Sequence, residues 1–157
     1  MPHTPNDDSA TSQPRSGFIS HFRKSPVTDP WEPLFSRATD RLVEIGLLVG
    51  SAHCNSRGWV HGGVIATLAD NAMGLTYHVA RRSMIVGAPS SGGVTVNLSV
   101  DYIATAVVGQ WLQFTPRVVK AGPGFGFIDC VVTADDGAIA RASAVFKVLK
   151  ERENELP

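Results

Sequence analysis

His61 to Tyr77, HGGVIATLADNAMGLTY, is the stretch whose reading decides the fold. A glycine pair opens a run of helix formers. From residue 61 to about residue 80 the positions Ile65, Leu68, Ala69, Ala72, Thr76 and Val79 return every three or four residues, which predicts one helix with a single buried stripe. At about 100° per residue, Asp70 falls off the centre of that stripe, beside Gly63, Ala66, Thr67 and Gly74. That second face is made of small residues, so another backbone can come close and the carboxylate sits in a crevice. Unpaired N–H groups at a helix start hold a negative oxygen, and a carboxylate activates water. The run therefore has the parts for hydrolysing an activated carbonyl.

Outward from the helix the pattern changes to strands. Residues 41–48 read as a first strand, with Leu42, Val43, Ile45, Leu47 and Leu48 apolar, and residues 50–58 read as a loop. After a loop over 81–93, strands are expected over 94–102, 111–120, 125–133 and 138–149. The links AGPG at 121–124 and ADDG at 134–137 are short and turn-rich, so the last three strands form an antiparallel meander. In VTVNLSVD at 94–101 the alternation predicts Val94, Val96, Leu98 and Val100 on one face and Thr95 on the other. One helix among such strands means an α+β layer pair with the sheet wrapped around the helix. A single sheet over one helix leaves an edge strand and part of the helix bare, so self-association is expected.

The 157 residues divide into a flexible arm over 1–25, one domain over 26–150 and a tail over 151–157. The arm is rich in Ser, Thr, Pro, Asn and Asp, interrupted by the apolar GFISHF at 17–22, a segment suited to docking on the body or a partner. TDPWEPLF at 28–35 suits a short capped turn covering a core edge. Lys plus Arg balance Asp plus Glu at 14 each, so no global field favours nucleic acid or an anionic membrane. No apolar run approaches the roughly 20 residues of a membrane span and no signal-peptide order opens the chain, so a cytoplasmic protein is expected. Cys54 and Cys130 lie far apart with no CxxC, and His3, His21, His53 and His78 have no metal-ligand spacing, so buried thiols and no metal site are expected.

NSRGWVHGG at 55–63, LADNA at 68–72 and GVTV at 93–96 together resemble the hotdog-fold acyl-CoA thioesterases, specifically the phenylacetate-pathway type within the 4-hydroxybenzoyl-CoA thioesterase superfamily. The resemblance covers roughly residues 42–149. It implies a hotdog fold, an acyl-CoA substrate hydrolysed without metal or redox cofactor, and a homodimer or homotetramer. Carried over residue by residue, it implies that Asp70 is the catalytic carboxylate, as base or as nucleophile. The Gly62 N–H would polarise the carbonyl, Asn55 and His61 would position the thioester end, and Thr95 would hold the attacking water. Each site would draw Asp70 and Thr95 from one copy and Asn55, His61 and Gly62 from the other. Gly63, Lys120 and Arg141 are candidate substrate contacts, the two cations for coenzyme A phosphates. The chain departs from the family at YIATA, 102–106, which lacks the usual arginine-proline pair, and at the 121–124 turn, which is less basic than in relatives.

Each residue also has a plainer reading. Asp70 as a lone helix carboxylate is solvated; His61 beside a helix start is a neutral cap as readily as a base. The glycines serve a tight turn, Asn55 bonds its own backbone, and Thr95 is a strand former. Lys120 and Arg141 are solvated strand-end charges. Two rival activities share the fold: a module that binds an acyl thioester or small hydrophobic ligand without cleaving it, and an enoyl-CoA hydratase.

Overall fold

The computed structural model describes residues 13–87 and 93–149. Its centre is α1, Gly62–Met84, started by His61 in extended conformation with its ring Nδ1 accepting from the Gly63 N–H at 2.8 Å. Leu68, Ala69, Ala72, Met73 and Thr76 on this helix are wholly inaccessible to solvent. The expected stripe is thus the buried one, widened by Val64, Leu75, Tyr77 and Ala80, with Val79 only half-buried.

Among the described residues seven strands form one antiparallel sheet: β1 (Ile19–Ser20), β2 (Phe35–Ala38), β3 (Val43–Leu48), β4 (Gly93–Tyr102), β5 (Trp111–Ala121), β6 (Phe125–Ala134) and β7 (Gly137–Val148). Their order is β1-β2-β3-β5-β6-β7-β4. The sheet wraps the helix: α1 touches β3, β4, β5, β6 and β7, and Val43, Ile45, Leu47, Leu112, Phe114, Ile128, Val132 and Ala144 close the core against it. β5, β6 and β7 are the expected meander. The β6–β7 turn holds Asp135 and Asp136 at positive φ, which a two-residue hairpin demands and short acidic side chains tolerate. Among the described residues no helix is long and apolar enough to cross a membrane.

Three expectations differ from the structure. The strand expected first is the third, because β1 and β2 precede it; neither is long enough to show a period. The segment around residues 18–21, expected within a flexible arm, is tied to the sheet edge: Phe18 packs edge-on to Trp111 at 5.4 Å, beside Phe35. Gly46 beneath that cluster has no room for a side chain, since Trp111 occupies the space. Residues 1–12 of the arm and 150–157 of the tail lie outside the described residues.

The third difference matters most for function. In β4 the expected single face of Val94, Val96, Leu98 and Val100 is broken by a bulge between Thr95 and Asn97. Beyond it, Leu98 and Val100 pair with the inward Ala144 and Ala142, whereas before it Thr95 pairs with the inward Phe146 and Val94 with the exposed Lys147. Residues directly opposite across an antiparallel pair share a face, so the bulge turns Thr95 toward the helix and Val94 away from it.

Candidate active site

Thr95 reaches the helix carboxylate. Its Oγ1 donates to Asp70 Oδ1 at 2.8 Å, although 25 positions separate them. Asp70 lies on the half-buried side of α1 with Ala66, Thr67, Asn71, Gly74 and His78, the small face read from the sequence extended by one turn. Asp70 and Thr95 line a cavity of about 300 Å³ whose other walls include Asn71, Gly74, Tyr77 and Phe146. A half-buried carboxylate held by one hydroxyl at the wall of a cavity can take a proton from a water or meet an electrophilic carbon directly.

The helix start makes a second polar locus. Gly62 is the first residue of α1, and among the described residues its N–H has no hydrogen-bond partner. The helix dipole and this open donor both favour a negative oxygen there. Tyr102, which sequence reasoning passed over, braces the same residue: its hydroxyl donates to the Gly62 carbonyl at 2.8 Å. Its ring would stand 3.1 Å from a Cβ at position 62, so a close approach explains the glycine. The Gly63 N–H is already spent on His61 Nδ1, which leaves that ring's remaining nitrogen, Nε2, to carry its proton and point outward as a donor. His61 is a cap in this arrangement. Asn55 Oδ1 accepts from the backbone N–H groups of Arg57 at 2.9 Å and Trp59 at 3.3 Å, which is the turn reading, and its amide nitrogen has no partner among the described residues.

Within one chain the two loci are separate. Gly62 and Asp70 are eight residues apart on one helix, about 12 Å along its axis. Lys120 and Arg141 are not brought to either. Lys120 is exposed and pairs with the outward Phe127, and Arg141 is exposed on the outer sheet face, its Nε donating to Asp101 Oδ2 at 2.8 Å. Among the side chains that the structure adds to the cavity are Arg23, His78 and Asn71. His78 had a legible signal, because 70, 74 and 78 share one helix face; Arg23 had none, because only the fold lays residues 23–28 over α1.

Residues 57–140 match the family model described as Thioesterase superfamily. A Pseudomonas aeruginosa protein named "Putative esterase PA0474" is 35% identical over 131 residues, covering 83% of this chain and 93% of that protein. Mouse acyl-coenzyme A thioesterase 13 is 30% identical over 100 residues, covering 64% of this chain and 66% of the relative. Among solved structures, the smu.793 protein of Streptococcus mutans bound to acetyl CoA superposes with a TM-score of 0.60 at 25% identity, covering 72% of this chain and 85% of that one.

Proposed function

The chain belongs to the thioesterase superfamily, and from that premise we propose that it hydrolyses the thioester of an acyl-coenzyme A to a free acid and the coenzyme's thiol. The observation that carries this reading is the Asp70–Thr95 pair at the cavity wall. In this mechanism Asp70 takes a proton from a water that Thr95 helps to hold, and the water oxygen bonds to the thioester carbon. The carbonyl oxygen becomes an oxyanion against the Gly62 N–H. Collapse of the adduct breaks the carbon–sulfur bond, and the departing sulfur takes up the proton. No metal or redox group enters these steps. Direct attack by Asp70 through a mixed anhydride gives the same products, and label found in the Asp70 carboxylate after a single turnover in labelled water identifies that route.

A reacting carbonyl needs donors at about 2.7–3.1 Å from its oxygen, so an Asp70 and a Gly62 about 12 Å apart along one helix do not serve the same carbon. We infer that the site is composite, with Asp70 and Thr95 of one copy facing Asn55, His61 and Gly62 of a second. The sheet supports a homodimer or a dimer of dimers. β4 is an edge strand, and its Val94, Val96 and Leu98 are 40%, 51% and 38% exposed. A ten-residue edge strand with three exposed apolar side chains calls for a covering copy. The mouse relative's name and the acetyl CoA held by the Streptococcus mutans protein support the substrate class.

The test is incubation with a panel of acyl-CoAs while thiol release is followed. Release with at least one acyl group is the expected result. Saturable binding without thiol would replace hydrolysis by binding, and loss of enoyl absorbance without thiol would replace it by hydration.

A further inference from the structure

The cavity beside Asp70 has a second end. Asp70, Gly74 and His78 follow one another along a single face of α1, and all three line it. Gly74 keeps the passage open, since a Cβ there would stand 3.3 Å from the Phe146 ring. Tyr77 and Phe146, stacked at 5.8 Å, form an apolar wall. Opposite the helix the wall is Arg23 with Ser25, Val27 and Thr28, a segment outside residues 57–140 that match the family model.

The charges of this cavity are unevenly placed. Among the described residues its charged or titratable lining groups, apart from the phenol of Tyr77, are Asp70, Arg23 and His78. Asp70 is held by Thr95, and the neighbouring Lys24 is committed to Glu32 at 2.7 Å. Arg23 has no hydrogen bond or ion pair among the described residues, and neither has His78. Burial, and then Arg82, Arg23 and Arg81, hold the His78 imidazole below its ordinary value, so the charges that act on it are those of arginines. A methyl-ended acyl group reaching it would leave the half-buried imidazole facing hydrocarbon and would gain nothing from the exposed Arg23 guanidinium. A carboxylate there would be met by two donors.

Resting on the reading of this cavity as the acyl site, we propose that Arg23 and His78 form a specificity subsite for acyl thioesters whose acyl chain ends in a carboxylate. The length follows from the helix. Eight residues from Asp70 to His78 span about 12 Å, and hydrogen-bond reach of about 3 Å at each end leaves about 6 Å for the chain, the span of a six-carbon diacid.

The test compares adipyl-CoA with hexanoyl-CoA, which replaces the terminal carboxylate by a methyl group at equal carbon count. Two readouts are taken: kcat/KM by thiol release on the unaltered protein and on Arg23→Ala and Arg23→Lys, and Kd by calorimetry on the same Arg23 variants in an Asp70→Asn background. The expected result is a preference for adipyl-CoA of about tenfold in both readouts, falling to near parity in Arg23→Ala and partly kept in Arg23→Lys. No preference in the unaltered protein, or a preference that survives Arg23→Ala, overturns the subsite. Equal loss on both thioesters in Arg23→Ala also overturns it, since that marks a contact to coenzyme A or a purely structural role. If no acyl-CoA is cleaved, the hydrolysis reading fails alone, because the calorimetric ratio still decides the subsite.

Discussion

Thr95 and Asp70 meet across 2.8 Å because a bulge in β4 inverts the alternation of the strand just before Asn97. Without that irregularity the hydroxyl and the carboxylate would lie on opposite sides of the sheet. Bulges next to reactive groups re-aim side chains in this way. Asp70→Asn removes the proton acceptor while keeping size and an acceptor for Thr95, so kcat is expected to fall by roughly 10²–10⁴ with the fold intact. Thr95→Val removes one hydrogen bond to a charged group, and kcat is expected to fall by about tenfold. Steady-state kinetics, with circular dichroism as the folding control, check both; an Asp70→Asn rate equal to the unaltered one rejects the carboxylate as base.

The composite site predicts complementation. Gly62→Pro removes the N–H but keeps a residue that helices accept at their first position, at the cost of some displacement of Tyr102. Asp70→Asn and Gly62→Pro each lower activity alone. Unfolding and refolding them together gives mixed dimers in which one site has both groups intact, so activity is expected to exceed the sum of the separate preparations. A strictly additive mixture counts against a shared site.

Thr76 joins helix to sheet. Its wholly buried hydroxyl accepts from the Val43 N–H at 2.9 Å and donates to the Val43 carbonyl at 3.3 Å, pairing a backbone position at the start of β3. Thr76→Val keeps the volume and strands both groups, so a loss of about 1–3 kcal/mol in unfolding free energy is expected. Denaturant titration measures it, and Leu68→Ala, at a fully buried position, supplies a comparison expected to cost about 2–5 kcal/mol.

His21 makes stability fall in mild acid. It is 2% exposed, and neither ring nitrogen has a hydrogen-bond partner among the described residues. Burial holds its imidazole below the ordinary 6.5, opposed by Glu32 and reinforced by Lys24 and Arg23. The unfolded chain therefore takes up the proton first as pH drops below 6.5, so this group's contribution is intact above that value and is lost progressively down through the lower folded value. The thermal midpoint is expected to decline as pH falls through 6.5 and below, with a shallower slope in His21→Gln. His78, also shifted downward, supplies part of the remaining slope.

The thiols differ in reach. Cys130 is buried beneath the sheet with its pKa pushed up to about 12, whereas Cys54 is half-buried and raised by burial alone. A thiol reagent at pH 8 is expected to label Cys54 slowly and Cys130 only on unfolding. Labelling of Cys130 at the rate of Cys54 in the folded protein defeats the expectation.

Local pattern by itself determined α1, its buried stripe, the off-stripe position of Asp70 and the β5–β6–β7 meander, because 3.6-residue periodicity, strand alternation and turn chemistry are carried by neighbours in the chain. NSRGWVHGG, LADNA and GVTV together carried the family resemblance. Tertiary structure decided the rest. Thr95 faces Asp70 only because pairing with β7 absorbs an extra residue in β4; Thr76, counted in an apolar stripe, is there to bond the backbone of Val43; Tyr102 fixes why position 62 is glycine; and Arg23 lines the cavity only because residues 18–28 are laid across the sheet edge and the helix. Each of these is a contact between residues at least 25 positions apart, or hangs on one, and a side chain's face at such a distance is set by strand register and packing, which no local period encodes.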